Sequence, residues 1–361
     1  MRKGLCEISN PKQWKTISSE MLRSSGYPVY GANGVIGYYS AYNHTEETLL
    51  ITCRGATCGR LNICKPYSYV NGNAMAIDNL SKEIDIRYLY YYLLNRGLDD
   101  VISGSAQPQI VRQSLEKVYI EYPELDKQKE LVSSLNKVEQ LISLRKQQLS
   151  KLDELVKSRF IELFGTEAEL DRWSCCTIGD VADVCVGVVI KPTQYYTDKG
   201  VPAFRSLNIG EMHVKDADWV YFTEEGHQRN QKSIIRKNDV LVVRSGAPGT
   251  ACVATEKYEG YNAVDIIIAH PDNSKVNSVF LAAYTNMPHG MTQIREKTGG
   301  AAQQHFNVGG YKAMRLIMPT MELQEQFAAF VEQTDKSKMS LQKSLEKLET
   351  LKKSLMQKYF G

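Results

Sequence analysis

The chain has 361 residues, 43% of them hydrophobic and 24% charged, enough for roughly two domains with buried cores. Its 44 Lys and Arg against 41 Asp and Glu leave a net charge of +3, which neither demands nor excludes a nucleic-acid partner. No stretch reaches the roughly 18 apolar residues of a membrane span, Glu7 interrupts any apolar core of an export signal, and the eight scattered cysteines read as thiols, so a soluble, cytoplasmic protein with no membrane partner is expected.

Taken in chain order, residues 47 to 77 hold short apolar and β-branched runs such as Leu49 to Thr52, broken by Gly, Asn and Pro, which predict strands and turns. A short helix is expected from Ile84 to Leu94, with Leu89, Tyr92 and Leu93 as its buried stripe. A loop of small and polar residues, Ser103 to Gln109, follows. After Pro123, Leu131, Leu135, Val138, Ile142, Arg145, Leu149, Leu152, Val156 and Arg159 step by alternating four and three residues. That pattern predicts a helix of about 38 residues, roughly 57 Å long, closed by Phe164-Gly165.

The second half repeats this order. Residues 104 to 165 align without a gap on 300 to 361: Gln107 falls on Gln303, Pro123 on Pro319, Gln128 on Gln324, Leu149 on Leu345 and Phe164-Gly165 on Phe360-Gly361. Upstream the match needs gaps. Trp14 with Thr16-Ile17 resembles Trp173 with Thr177-Ile178, and Gly26 to Tyr30 resembles Gly200 to Phe204. Leu49 to Gly55 resembles Leu241 to Gly246, with Arg244 at the position of Arg54 or its neighbour. On this alignment the first half has a shorter opening, without the stretch Val181 to Lys199.

A rod this long must bury its stripe, and the simplest partner is the matching rod of the other copy, running back antiparallel. Leu135, Val138, Ile142, Leu149 and Leu152 are expected to pair with Leu341, Leu345 and Leu348. The fold class is therefore α+β, with two globular α+β domains and a pair of long antiparallel helices related by an internal repeat. The expected boundaries are residues 1 to 122 for the first globular domain, 123 to 165 for the central helix, 166 to 318 for the second domain and 319 to 361 for the last helix.

The chain lacks a phosphate-binding glycine loop, a dinucleotide fingerprint, a zinc-protease helix and a nucleophile elbow, so no catalytic residue is assigned. Cys53, Cys58 and Cys64, with His44 nearby, are spaced too loosely for a zinc site, and no metal is expected. The candidates that remain are polar and basic. Gln107 and Gln109, and Gln303, Gln304 and His305 in the second copy, carry groups suited to base edges, although a plain turn explains the loop equally well. Arg54 and Arg244 each follow an apolar strand and precede a glycine turn, and Arg205, Ser206 and Asn208 follow another strand. The rods themselves are nearly neutral, so phosphate attraction would depend on local clusters such as Arg54, Arg60 and Lys65.

The repeated order of these parts resembles the specificity subunit of type I restriction-modification systems. The resemblance rests on Trp173 with Thr177 to Val181, Gly200 to Arg205, Gly26 to Gly34 with Ile36 to Tyr38, Pro319 with Glu322, Gln324 and Gln326, and the duplicated rods ending in Phe-Gly. It implies a non-catalytic adaptor whose two target-recognition domains each read half of a bipartite site on double-stranded DNA. It further implies two methyltransferase subunits docked on the helices, S-adenosylmethionine bound by that partner for adenine N6 methylation, and a translocase-nuclease subunit joining for cleavage. A coiled-coil scaffold without DNA and a self-contained modification enzyme are the competing classes.

Overall fold

A computed structural model of this α+β chain describes residues 1 to 104, 107 to 298 and 305 to 361. It contains two compact units, one built from Met1–Gln147 with Gln342–Gly361 and the other from Gln148–Leu341.

The first unit holds strands β1 (Arg2–Gly4), β2 (Asn10–Gln13), β3 (Tyr27–Gly31), β4 (Gly34–Tyr39), β5 (Thr48–Thr52), β6 (Leu61–Cys64), β7 (Tyr69–Val70), β8 (Ala74–Asp78) and β9 (Tyr119–Glu121). Four of them form an antiparallel sheet in the order β2-β8-β5-β6, a second sheet runs β4-β3-β7, and β1 pairs with β9. The run of apolar residues in β5 is explained by burial on both faces. Leu49 and Ile51 enter a core shared with helix α1 (Ile86–Arg96), while Leu50 points the other way and meets Tyr30 and Val70 of the small sheet. Pro11, which cannot donate to a ladder, is tolerated because β2 is an edge strand.

The second unit contains β10 (Cys175–Thr177), β11 (Ala182–Val186), β12 (Tyr196–Thr197), β13 (Val201–Phe204), β14 (Ile209–Gly210), β15 (His213–Val214), β16 (Val220–Phe222), β17 (Val240–Val243), β18 (Ala251–Val253), β19 (Asn262–Ala263), β20 (Ile266–Pro271) and β21 (Arg315–Ile317). Its main sheet runs β11-β20-β17-β18, its second sheet β12-β16-β13-β19, and β10 pairs with β21. The alternation repeats: Val240 and Val242 face one core, Leu241 and Val243 the other. In both units the second sheet contains one parallel pairing, Val29↔Tyr69 in the first and Ala203↔Asn262 in the second.

This topology corrects the sequence alignment of the two openings. Leu5 donates its backbone N–H to Val118 O at 2.7 Å and Ile178 donates to Met314 O at 3.0 Å, so Leu5, not Ile17, is the counterpart of Ile178. Trp14 lies after β2, whereas Trp173 lies before β10. The first unit therefore keeps its opening strand: 13 residues (14 to 26) separate β2 from β3, and 14 (187 to 200) separate β11 from β13. The real difference comes next. Two residues join β3 to β4, but 15 (205 to 219) join β13 to β16, and they include β14 and β15.

Helix α1 starts two residues later than its apolar spacing predicts, because the Asp85 side chain accepts backbone N–H groups of the first turn, and Asn277 caps α3 (Ser278–Asn286) in the same way. Helix α4 (Pro288–Lys297) follows. The two long helices are α2 (Leu125–Phe164) and α5 (Met321–Phe360), each of 40 residues. Gly165 closes α2 in the left-handed conformation (φ +85°).

The predicted stripe is unevenly buried. Leu135, Val138 and Leu345 are buried, while Ile142, Leu149, Leu152, Leu341 and Leu348 are half-buried. Within the first unit Lys352 Nζ meets Glu139 Oε1 at 2.6 Å, and within the second Lys338 Nζ meets Asp153 Oδ1 at 2.7 Å, pairings that require antiparallel helices. Each unit's stretch of helix also completes that unit's core: Val132, Leu135 and Met356 in the first, Val156, Phe160, Phe327 and Val331 in the second.

Candidate nucleic-acid interface

In the first unit the site is a turn at the end of β5. Cys53 is buried, Ile110 donates to its carbonyl at 3.1 Å, and Gly55 turns the chain with φ +87° where no neighbour crowds it, so conformation and not space calls for glycine. Gly55 N–H donates to Pro108 O at 3.0 Å, and Ser103 and Gln109 exchange two backbone bonds of 2.8 Å. This brings Gln109 opposite Arg54 as a backbone bridge, with both residues and Gln107 exposed. Arg60 is exposed just before β6 and its carbonyl accepts Thr52 N–H at 2.8 Å. Lys65 lies beyond the other end of β6, so the expected trio divides: Arg54 and Arg60 share one end of the strand and Lys65 stands at the opposite end. Among the described residues none of the three has an ion-pair partner.

The second unit builds the same turn with different side chains. Phe306 donates to Arg244 O at 3.0 Å, the bond that Ile110 makes to Cys53, and Gly246 repeats φ +87°. Arg244 is therefore the counterpart of Cys53, Ser245 of Arg54 and His305 of Gln109; of the two positions the sequence left open for Arg244, it takes the neighbour of Arg54. Arg244 is buried and fully engaged: Nη1 to Asp265 Oδ1 at 2.7 Å, Nε to Phe306 O at 3.2 Å and Nη2 to His305 Nε2 at 2.6 Å. A guanidinium can only donate, so His305 Nε2 accepts, its ring is neutral, and Nδ1–H donates to Ser245 Oγ at 2.7 Å. His305 itself is exposed. As a buried, paired cation Arg244 holds the His305 ring in place, and its guanidinium is taken up inside the turn instead of facing outward.

Arg205, Ser206 and Asn208 open the 15-residue connection from β13 to β16 in the second unit. Asn208 is fully buried; Oδ1 accepts Arg205 N–H at 2.9 Å and Nδ2 donates to Ala217 O at 2.7 Å. Its amide shapes the turn and cannot read a base, which corrects that expectation. Arg205 donates to the Asp218 carbonyl, and Ser206 is half-buried beside the exposed Leu207. Gln303 and Gln304 lie outside the described residues.

Cys53 accepts from Gln13 Nε2 at 2.8 Å, and burial raises its thiol pKa. His44 is tied to Asp78 Oδ1 at 2.9 Å. Among the described residues no group of three His, Cys, Asp or Glu side chains could hold a metal ion, and no helix is long and apolar enough to cross a membrane. Sequence reasoning missed Ser245 and Asp265. The gapless register of the repeat, which already placed His305 on Gln109, together with the pairing of Gly55 and Gly246, points to Ser245; nothing local points to Asp265.

The chain matches the family model described as the type I restriction modification DNA specificity domain over residues 2–154 and 171–353. It is 22% identical over 363 residues to a putative type I restriction enzyme specificity subunit of Haemophilus influenzae, covering 91% of this chain and 86% of that protein. It is 29% identical over 145 residues to the EcoprrI specificity subunit of Escherichia coli, a match spanning 39% of this chain and 36% of that relative. Among solved structures, the fold is similar to a type I restriction-modification S subunit from M. genitalium, with a TM-score of 0.65 at 15% identity, covering 100% of this chain and 96% of that one.

Proposed function

Because the chain belongs to the type I restriction modification DNA specificity family, whose role is DNA target recognition, we propose that it reads a bipartite site on double-stranded DNA with one unit per half-site. The observation that carries this reading is the duplicated turn: one backbone frame presents Arg54 and Gln109 in the first unit, Ser245 and His305 in the second. Equal frames with unequal side chains suit two half-sites of different sequence, since base-edge donors and acceptors carry specificity at roughly 1 to 3 kcal/mol per well-made pair.

On this reading the chain performs no chemistry. Two methyltransferase subunits dock along α2 and α5, where Leu141, Leu144, Leu155 and Leu351 stay exposed outside the buried stripe and offer apolar contacts to helical partners. Those subunits would bind S-adenosylmethionine, a translocase-nuclease would join for cleavage, and the setting would be the cytoplasm, where the DNA lies.

The test is selection from randomised duplexes by the chain, alone and with a methyltransferase subunit. The expected result is a split motif of constant spacing, with His305→Ala altering one half only. Absence of any retained duplex points to a scaffold, and modified product from the chain alone points to a self-contained enzyme.

A further inference from the structure

The small sheet of the first unit carries an unusual surface. Between residues 21 and 77 the only carboxylates are Glu46 and Glu47, and Glu47 is held by Arg87 at 3.0 Å. The same stretch contains Arg23, Arg54, Arg60 and Lys65, all exposed. Tyr27, Tyr38, Tyr42 and Tyr67 are exposed as well, between 37% and 53%, although tyrosines here would be expected to pack a core, as Tyr30 does.

Three of the rings form a row. Tyr42 meets Tyr27 edge-on at 4.8 Å and Tyr67 at 5.3 Å. Tyr67 is placed there at a cost, with a left-handed φ of +56° that bulky residues avoid. Arg23 joins the edge of the sheet through its N–H to Tyr38 O at 2.8 Å, in register with Tyr38 and Pro28 and so on the face alternate to Tyr27, and Lys65 N–H reaches the Tyr30 hydroxyl at 3.3 Å. At its far end the β3–β4 turn touches the reading turn, because the Thr52 hydroxyl donates to Ala32 O one residue before Cys53. The five residues of β3 span about 16 Å, and one strand of duplex DNA presents a phosphate about every 3.4 Å.

We propose that this acid-poor, tyrosine-bearing face is a second DNA contact of the first unit, lying along the sugar-phosphate backbone beside the bases read at Arg54 and Gln109. Tyrosine hydroxyls donate to phosphate oxygens, ring edges cover sugars, and Lys65, two residues from Tyr67, supplies charge beside the row, with Arg23 adding it from the edge of the sheet. A protein partner would favour an apolar patch with charges depleted at its centre; a stretch in which exposed Arg23, Arg54, Arg60 and Lys65 outnumber the exposed Glu46 favours a polyanion. The inference rests on the DNA-recognition reading and deepens it.

The test compares the full chain, with its methyltransferase subunit, as wild type, as the triple variant Tyr27→Phe/Tyr42→Phe/Tyr67→Phe, as Arg23→Ala/Lys65→Ala, and as the control Tyr119→Phe, an exposed tyrosine on β9. Retention of a target and a scrambled duplex is measured over a salt series. The triple variant should bind both duplexes roughly three- to tenfold more weakly with its preference intact, and the basic variant should lose about two from the log–log salt slope. Affinity unchanged in both while wild type binds and His305→Ala shifts preference overturns the face alone. Loss of methyltransferase association with DNA binding intact overturns it in favour of a protein contact. No retention of any duplex by wild type overturns the DNA reading itself, and the face with it.

Discussion

The side-chain Oε1 of Gln128 accepts the backbone N–H of Asp85 at 2.9 Å, fastening the start of α2 to the cap of α1. Its Nε2 donates to Glu83 O and Pro123 O, and Gln324 repeats the arrangement with Asn277 N–H and Pro319 O. Both glutamines are buried. Gln128→Leu should take the side-chain partner from three partly buried backbone groups and lower stability by about 1 to 2 kcal/mol, measured by urea unfolding of the full chain, with Gln324→Leu acting in the same direction.

Breaking the Arg244 network should separate specificity from affinity. Arg244→Ala removes what holds His305 and leaves Asp265 without its cation, so the second half-site should lose preference by roughly tenfold while the first is unchanged. Selection from randomised duplexes reads both halves at once. Equal loss in both halves would mean that Arg244 acts on the whole fold.

Arg54 and Arg60 stand exposed without ion pairs among the described residues. If Arg60 neutralises a phosphate, Arg60→Ala should lower the log–log salt slope by about one and weaken all duplexes alike. Arg54→Ala should also change sequence preference in the first half-site, because Arg54 shares its turn with Gln109.

Two histidines give the second unit opposite responses to pH. His270 Nδ1 binds Asp239 Oδ1 at 2.6 Å and Nε2 faces Cys185 Sγ at 3.7 Å; these bonds, that to Asp239 first, raise its pKa to about 9. The native state therefore holds this proton more tightly than the unfolded chain, and the stability it contributes is full below the ordinary histidine value of about 6.5 and lost as pH rises through about 9. His289, buried beside the Phe160 and Tyr284 rings, has its pKa lowered by burial, so its contribution is present above about 6.5 and lost as pH falls. In thermal unfolding against pH, His289→Phe should flatten the acid limb and His270→Asn the alkaline limb.

The long helices and the gapless half of the repeat were legible because a seam repeating every three or four residues over 40 positions leaves little choice of register. The openings were not. Strands β1 and β2 are three and four residues long, and β2, Asn-Pro-Lys-Gln, shows no apolar alternation, so Trp14 served as a false landmark. At the site, glycine marked both turns correctly. Whether the neighbouring arginine is buried or exposed depends on Asp265, 21 residues away, and no local pattern reports that contact.

The first unit is closed by a segment made more than two hundred residues after its own sheets. Met356 is buried in its core, Phe360 lies against Tyr88, and Asn95 Nδ2 donates to the Phe360 carbonyl at 3.1 Å. The second unit, by contrast, is one unbroken stretch of chain. Ribosomal order is thereby inverted: the half synthesised later has all its parts first, and the half synthesised earlier must wait, exposed to chaperones and proteases, until translation delivers its missing helix.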